Sequence, residues 1–223
     1  MKLSRRLEEI LSLCRPVHTA ADIGCDHGYV ACELADRGLA KRVIAADISA
    51  PSLEKARHLA QRRFLPQIEC RLGAGLRILR PGEAQGIVLA GMGAPLIMHI
   101  LEESREIAQK AEFLVLSPGN YPDRLRKFLL DSGYAIEEER MIHEDKFYPV
   151  ILATSGVCAP YSEIELLIGR YRELTIDLRE YIEFKIQQTD GIIRSLRAAG
   201  KPLADRKREN ERYRQYLLRW EEF

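Results

Sequence analysis

The chain has 223 residues, 46% of them hydrophobic and 30% charged, with a formal net charge of +1. That balance suits a soluble protein with one full α/β core and an appendage, and it leaves a nucleic-acid partner to be decided by the clustering of basic residues. No apolar run approaches the roughly 20 residues that cross a bilayer. The N-terminal MKLSRRLEEILSLC lacks the continuous apolar stretch of a signal peptide. Five cysteines (Cys14, Cys25, Cys32, Cys70 and Cys158) are never spaced C-x-x-C. Free thiols in a reducing cytoplasm are expected, with no membrane span and no metal site.

A first helix carries Leu3, Leu7, Ile10, Leu11 and Cys14 on one face. Short apolar runs then alternate with amphipathic stretches, the signature of βαβ units around a mostly parallel sheet. Strands are expected at Ala20–Ile23, Val43–Asp47, Ile68–Arg71, Gly86–Ala90 and Phe113–Leu116, with helices at Tyr29–Arg37, Ser52–Arg63, Pro95–Ala108 and Pro122–Ser132. Two further strands, Tyr134–Met141 and Phe147–Thr154, follow with only a short polar turn (His143, Glu144, Asp145) between them, which makes them a terminal antiparallel hairpin. From Tyr161 onward, apolar residues recur in steps of three, four or seven at Leu167, Tyr171, Leu174, Leu178, Ile182, Ile186 and Ile193. The pattern stops at Ala198–Pro202 and resumes with Leu203, Tyr213, Leu217 and Trp220. A long helix folded back on a shorter one is expected, an antiparallel coiled-coil hairpin. The expected domains are 1–156 and 157–223.

The segment DIGCDHGYVACELA, starting at Asp22, combines a strand end, a tight glycine turn and a helix start. Open α/β sheets hold nucleotide-like cofactors at such turns. Here Asp26 stands between Gly24 and Gly28, where a carboxylate would repel a pyrophosphate, so NAD and FAD are disfavoured. S-adenosylmethionine carries a sulfonium and an ammonium instead, and a turn with Asp22 and Asp26 suits it. A plain helix-capping role for these acids is the alternative. Cys25 and His27 sit in the same turn. Asp47 ends the second strand about 20 residues further on, where a carboxylate can accept both ribose hydroxyls, with Ile48 beside it. Gly73, Ala74 and Gly75 follow the third strand and imply an irregular backbone near an adenine ring. Ala90, Gly91, Met92 and Gly93 follow the fourth and face the same crevice as the first turn. The fifth strand ends in Ser117, Pro118, Gly119 and Asn120, whose amide can pair with an adenine or serve a turn.

DIGCDHGYVACELA, RLGAGL, IVLAGMGAPLI, SPGN and EDKFYPVI, in this order, resemble the bacterial tRNA (adenine-22-N1)-methyltransferase family through about residue 156, and the helical hairpin is similar to that family's C-terminal coiled coil. The resemblance implies a Rossmann-like class I methyltransferase, S-adenosylmethionine as cofactor and tRNA as substrate. It implies cofactor roles for Gly24, Asp26, His27 and Asp47, with Gly91, Met92 and Gly93 near methyl transfer. Three positions depart from the family pattern: Asp47 for Glu, Ala74 for Asn or Asp, and Ser117-Pro118-Gly119-Asn120 for QPN. Asp26 and Asn120 are candidates to hold the adenine's amino edge. Arg170, Arg172, Lys201, Arg206, Lys207 and Arg208 are candidates to grip RNA phosphates. A monomer is expected, although packing or dimerisation is a rival use of the hairpin. The alternatives are a methyltransferase of a small molecule or protein, and a non-catalytic RNA-binding module with a vestigial cofactor pocket.

Overall fold

The computed structural model describes residues 3–221; the outermost residues of the two expected domains, 1–2 and 222–223, lie outside the described residues. Seven strands form one sheet: β1 (Val17–Ile23), β2 (Ala40–Asp47), β3 (Ile68–Leu72), β4 (Gly86–Ala90), β5 (Phe113–Ser117), β6 (Tyr134–His143) and β7 (Phe147–Ser155). Their spatial order is β3-β2-β1-β4-β5-β7-β6. The first five are parallel, and β7 runs antiparallel between β5 and β6. The expected α/β sheet with a terminal hairpin is therefore what the chain forms.

Alternation along the central strands sends side chains to two cores. Ala20, Val43, Val88 and Val115 face α1 (Arg5–Ser12), α2 (Tyr29–Asp36) and α3 (Ala50–Arg62), whose Ile10, Leu34 and Leu53 are buried there. Ala21, Ile44, Leu89 and Leu116 face α4 (Ala94–Glu103), α5 (Arg105–Lys110) and α6 (Pro122–Asp131), which contribute Ile97, Ala108 and Leu125. With both faces covered, β4 and β5 read as unbroken apolar runs. Ser49 starts α3, its side chain accepting from the Ser52 N–H at 3.3 Å.

Two helices differ from expectation. The stretch Pro95–Ala108 is divided at Ser104 (φ −122°), giving α4 and α5. The segment from Tyr161 is not one long helix. It forms α7 (Glu163–Ile168), a seven-residue crossing, then α8 (Ile176–Ala198) and α9 (Ala204–Glu221). Gly169 causes the break. Its φ is +121°, and a Cβ there would lie 2.7 Å from Tyr171, 2.9 Å from Arg126 and 2.9 Å from Glu139. Only a residue without a side chain lets the backbone cross so close to that pair. Leu167, Tyr171 and Leu174 therefore lie outside the long helix, yet they still pack against the hairpin's core of Tyr181, Ile182, Ile186, Tyr213 and Tyr216. At the far end Gly200 N–H donates to Arg197 O and Lys201 N–H to Leu196 O, a glycine-terminated helix stop.

The hairpin is anchored to the sheet. Met141 of β6 joins its core, and Arg126 of α6 meets Glu139 of β6 at 2.6 Å with both side chains fully buried. No helix among the described residues is long and apolar enough to cross a membrane.

Candidate active site

β1 and β4 are neighbours from which the strand order runs outward in opposite directions, so a crevice opens at their carboxyl ends. Gly24 leaves β1 with φ +73°, and a Cβ there would lie 2.5 Å from the Met92 methyl. The bare glycine is what lets the β1 and β4 turns touch. Asp22 is buried, and its Oδ2 accepts the Ala31 N–H at 3.0 Å, which ties the strand end to α2. Burial, opposed by that hydrogen bond and helped by the nearby Asp47 charge, pushes its carboxyl up to about 7. Burial, then the charges of Asp22 and Asp47, also raise Cys25, which stays a thiol at neutral pH and offers no nucleophile.

Asp47 accepts the Asp26 N–H on Oδ2 at 3.0 Å and the Ser49 N–H on Oδ1 at 2.8 Å. The second β strand thus holds the glycine turn in place, a role that helix capping by Ser49 does not remove. Each carboxylate oxygen keeps a further lone pair for a ligand. Beside it Ile48 is 76% exposed. Gly73 N–H donates to the Asp47 carbonyl at 3.0 Å, and Gly75 begins a 3-10 turn over Gly75–Ile78. Together Gly24, Asp47, Ile48, Gly73, Ala74 and Met92 line a cleft of about 450 Å³. An uncovered apolar side chain next to a hydroxyl acceptor, at the mouth of an acidic glycine turn, fits an adenosine with a cationic tail.

The β4 and β5 loops are stitched together. Gly91 N–H donates to Ser117 O at 3.2 Å, Gly119 N–H to Met92 O at 2.9 Å, and Ala94 N–H to Asn120 Oδ1 at 3.2 Å. Asn120 therefore caps α4 while its amide NH2 stays available, and the Ser117 hydroxyl is buried without a partner. Ala90 stands at the same strand end, paired in register with Ser117.

Asp26 and Asn120 are not brought into contact. Asp26 (φ +45°) is 64% exposed on the α3 side, where its carboxylate meets His27 Nδ1 at 2.6 Å. His27 in turn stacks on Tyr29 and lies 3.5 Å from Lys55. Gly28 provides the residue before α2.

Of the expected phosphate contacts, Arg170 is already engaged. Its guanidinium bonds Glu165 and the carbonyls of Ala159 and Pro160, and it lies over Tyr161. That corrects its assignment: it holds the crossing before α8. Arg172 is 81% exposed; Lys201 and Lys207 are exposed; Arg206 pairs with Glu209 and Arg208 with Asp205 on the surface. Arg208 and Arg212 share a cleft with Arg124 and Lys127 of α6, residues that sequence reasoning passed over. Arg124 also lies 4.7 Å from the ring of Tyr121, which adopts φ +47° directly after Asn120. An aromatic residue in that backbone region was the available signal, but only the structure displays it. No group of three or more His, Cys, Asp or Glu side chains able to hold a metal ion occurs among the described residues, and all five cysteines are free.

Comparison with known proteins places this geometry. A methyltransferase-domain family model matches residues 3–152. The chain is 35% identical over 172 residues to the tRNA (adenine(22)-N(1))-methyltransferase of Bacillus subtilis, covering 76% of this chain and 72% of that protein. The crystal structure of the B. subtilis m1A22 tRNA methyltransferase superposes with a TM-score of 0.87 at 27% identity, covering 97% of this chain and 99% of that one. A Streptococcus pneumoniae protein solved in complex with S-adenosyl-L-methionine gives a TM-score of 0.86 at 27% identity, covering 97% and 100%. The chain belongs to the tRNA (adenine(22)-N(1))-methyltransferase family.

Proposed function

We propose that this protein transfers a methyl group from S-adenosylmethionine to N1 of adenine 22 in tRNA, as a cytoplasmic monomer that needs no metal. The observation that carries the reading is the crevice in which the acidic β1 turn and the Asp47–Ile48 edge meet the stitched Gly91–Asn120 loops. S-adenosylmethionine, when bound, supplies an electrophilic methyl on sulfur. Asp47 accepts the ribose hydroxyls, and Ile48 covers the nucleoside face. The Asp22–Gly28 turn gives the amino-acid half an acidic surround, and Gly73–Gly75 lets the backbone approach the cofactor's base.

Adenine N1 has an in-plane lone pair and is neutral, so it needs no covalent enzyme intermediate and no strong base. Positioning and exclusion of water are the chain's main tasks. Asn120, with its amide NH2 free beside Gly93, orients the acceptor ring, and Asp26 holds the turn through His27. A base whose N1 faces a pairing partner must first leave its stack. Residues 157–223 form a second domain that grips RNA through Arg172, Lys201, Arg206, Lys207 and Arg208. Arg124, which lies over Tyr121, and Lys127 share with Arg208 a cleft that also holds Asp123, Glu163 and Asp205.

Purified protein incubated with labelled cofactor and unmodified tRNA, followed by digestion to nucleosides, tests the reading. The label is expected in 1-methyladenosine, and a tRNA with guanine at position 22 is expected to remain unlabelled. Label confined to any other nucleoside, or none at all, would refute it.

A further inference from the structure

Two cations converge on one buried ring at the edge of the crevice. The Arg6 guanidinium of α1 lies 4.5 Å from the centroid of Tyr148, and Lys146 Nζ lies 5.2 Å from it. The Tyr148 hydroxyl donates to Asp145 Oδ1 at 2.8 Å; the Arg6 guanidinium interacts with the same hydroxyl, and the Lys146 charge acts on the Asp145 carboxylate. Arg6 Nε is buried with no hydrogen-bond partner, and neither cation is ion-paired to a carboxylate among the described residues. Its neighbour Arg5 behaves differently, with both terminal nitrogens on Asp177 at 2.6 and 3.4 Å. The Arg6 side chain also reaches the methyl-transfer loop: a Cβ at Gly91 would lie 3.4 Å from its Nη2.

Two like charges on one ring repel each other, and a desolvated guanidinium N–H without an acceptor is costly. The ring face and the Asp145 carboxylate beside Lys146 relieve part of this, and a bound anion supplies the acceptor that Arg6 Nε lacks. We propose that Arg6 and Lys146 form an oxyanion subsite beside Gly91, which takes either a phosphodiester of the bound RNA or the carboxylate of the cofactor's amino-acid half. Methylation at N1 leaves the adenine ring cationic, so this pair belongs to an anion near the reaction and not to the base edge itself. The inference rests on the proposed function, because that reading brings both anions into this crevice.

Arg6→Gln and Lys146→Gln test it, the second at an exposed hairpin tip where folding is least at risk. Calorimetry with S-adenosylmethionine and tRNA binding as a function of KCl are measured on the full chain. If the anion is a phosphodiester, the slope of log affinity against log salt becomes shallower by about one, with cofactor affinity unchanged. If it is the cofactor's carboxylate, cofactor affinity falls about tenfold or more and the salt slope stays as it was. Arg6→Lys then recovers part of either loss. Variants that match the wild type in both measurements overturn the subsite. Wild-type protein that leaves tRNA unmethylated would instead count against the proposed function, and the cofactor measurement would still be readable.

Discussion

Arg126→Met strikes the contact that ties the helical hairpin to the sheet. Arg126 Nε donates to Glu139 Oε2 at 2.6 Å, and its Nη1 donates to the carbonyls of Leu166 and Leu167 at 3.1 and 3.3 Å. Burial works against the guanidinium charge, but the Glu139 carboxylate more than offsets this and holds it above its ordinary range. Removing the cation leaves a fully buried carboxylate, which costs about 3–5 kcal/mol. Glu139 Oε1 keeps the Arg170 N–H at 2.8 Å and the Tyr161 hydroxyl at 3.1 Å, so the lower end of that range is expected. At about 2–4 °C per kcal/mol for a chain of this size, the melting temperature falls by roughly 6–12 °C. The double variant Arg126→Met/Glu139→Gln removes the stranded charge while an amide oxygen still accepts both remaining donors. It should recover about 1–3 kcal/mol relative to the sum of the single variants. Urea titrations of the wild type, both singles and the double close the cycle. Additivity within about 0.5 kcal/mol would refute the reasoning, because it would mean the charges do not sense each other. At a temperature where the single variant is folded, cofactor binding should persist while tRNA methylation declines, since the hairpin is displaced and the cleft is not.

Asp47→Ala removes a charged acceptor whose hydrogen bonds contribute about 1.5–3 kcal/mol each. Cofactor affinity measured by calorimetry should fall at least about tenfold, and an unchanged affinity would remove Asp47 from the ribose. Asn120→Asp keeps the acceptor for the Ala94 N–H but loses the amide donor, so melting should be retained and methylation lost. Asn120→Ala should lose both, at a stability cost of about 0.5–2 kcal/mol; full activity in the aspartate variant would end the orienting role. Asp22 titrates near 7 in the folded protein against 3.8 unperturbed, raised chiefly by burial. A raised folded value means its stabilising contribution is complete below about pH 4 and is lost as pH rises through about 7. Asp22→Asn should therefore gain on the wild type over that interval, and a stability difference that stays flat from pH 4 to 7 would contradict the buried-acid assignment.

Local pattern carried most of the framework. The short apolar runs of β1 to β5, the glycines and acids at strand ends, and the short polar turn of the terminal hairpin are short-range signals. A strand or a tight turn is decided largely by neighbours within a few residues, and that is why the crevice between the Asp22 and Gly91 turns was legible in the sequence alone. The misreadings share one cause, which is contact across long separations. The helical periodicity from Leu167 onward does not continue through Gly169, because Arg126 and Glu139 lie beside it where no side chain has room. Arg170, a candidate phosphate contact in the sequence, is enclosed by Glu165 and two carbonyls. Asp26 and Asn120 stand at neighbouring loops in the sequence logic, yet the backbone of the first turn aims Asp26 toward His27 and α3. Arg6 carried no sequence signal at all, because its partners Tyr148 and Gly91 lie in other elements of the fold. Spacing and residue type by themselves determined the sheet and the glycine turns at its strand ends, and the quoted motifs carried the resemblance to the family. Which charges are neutralised, and which are left facing the crevice, was decided only when the tertiary structure brought distant elements together, since an ion pair depends on distance in space and not along the chain.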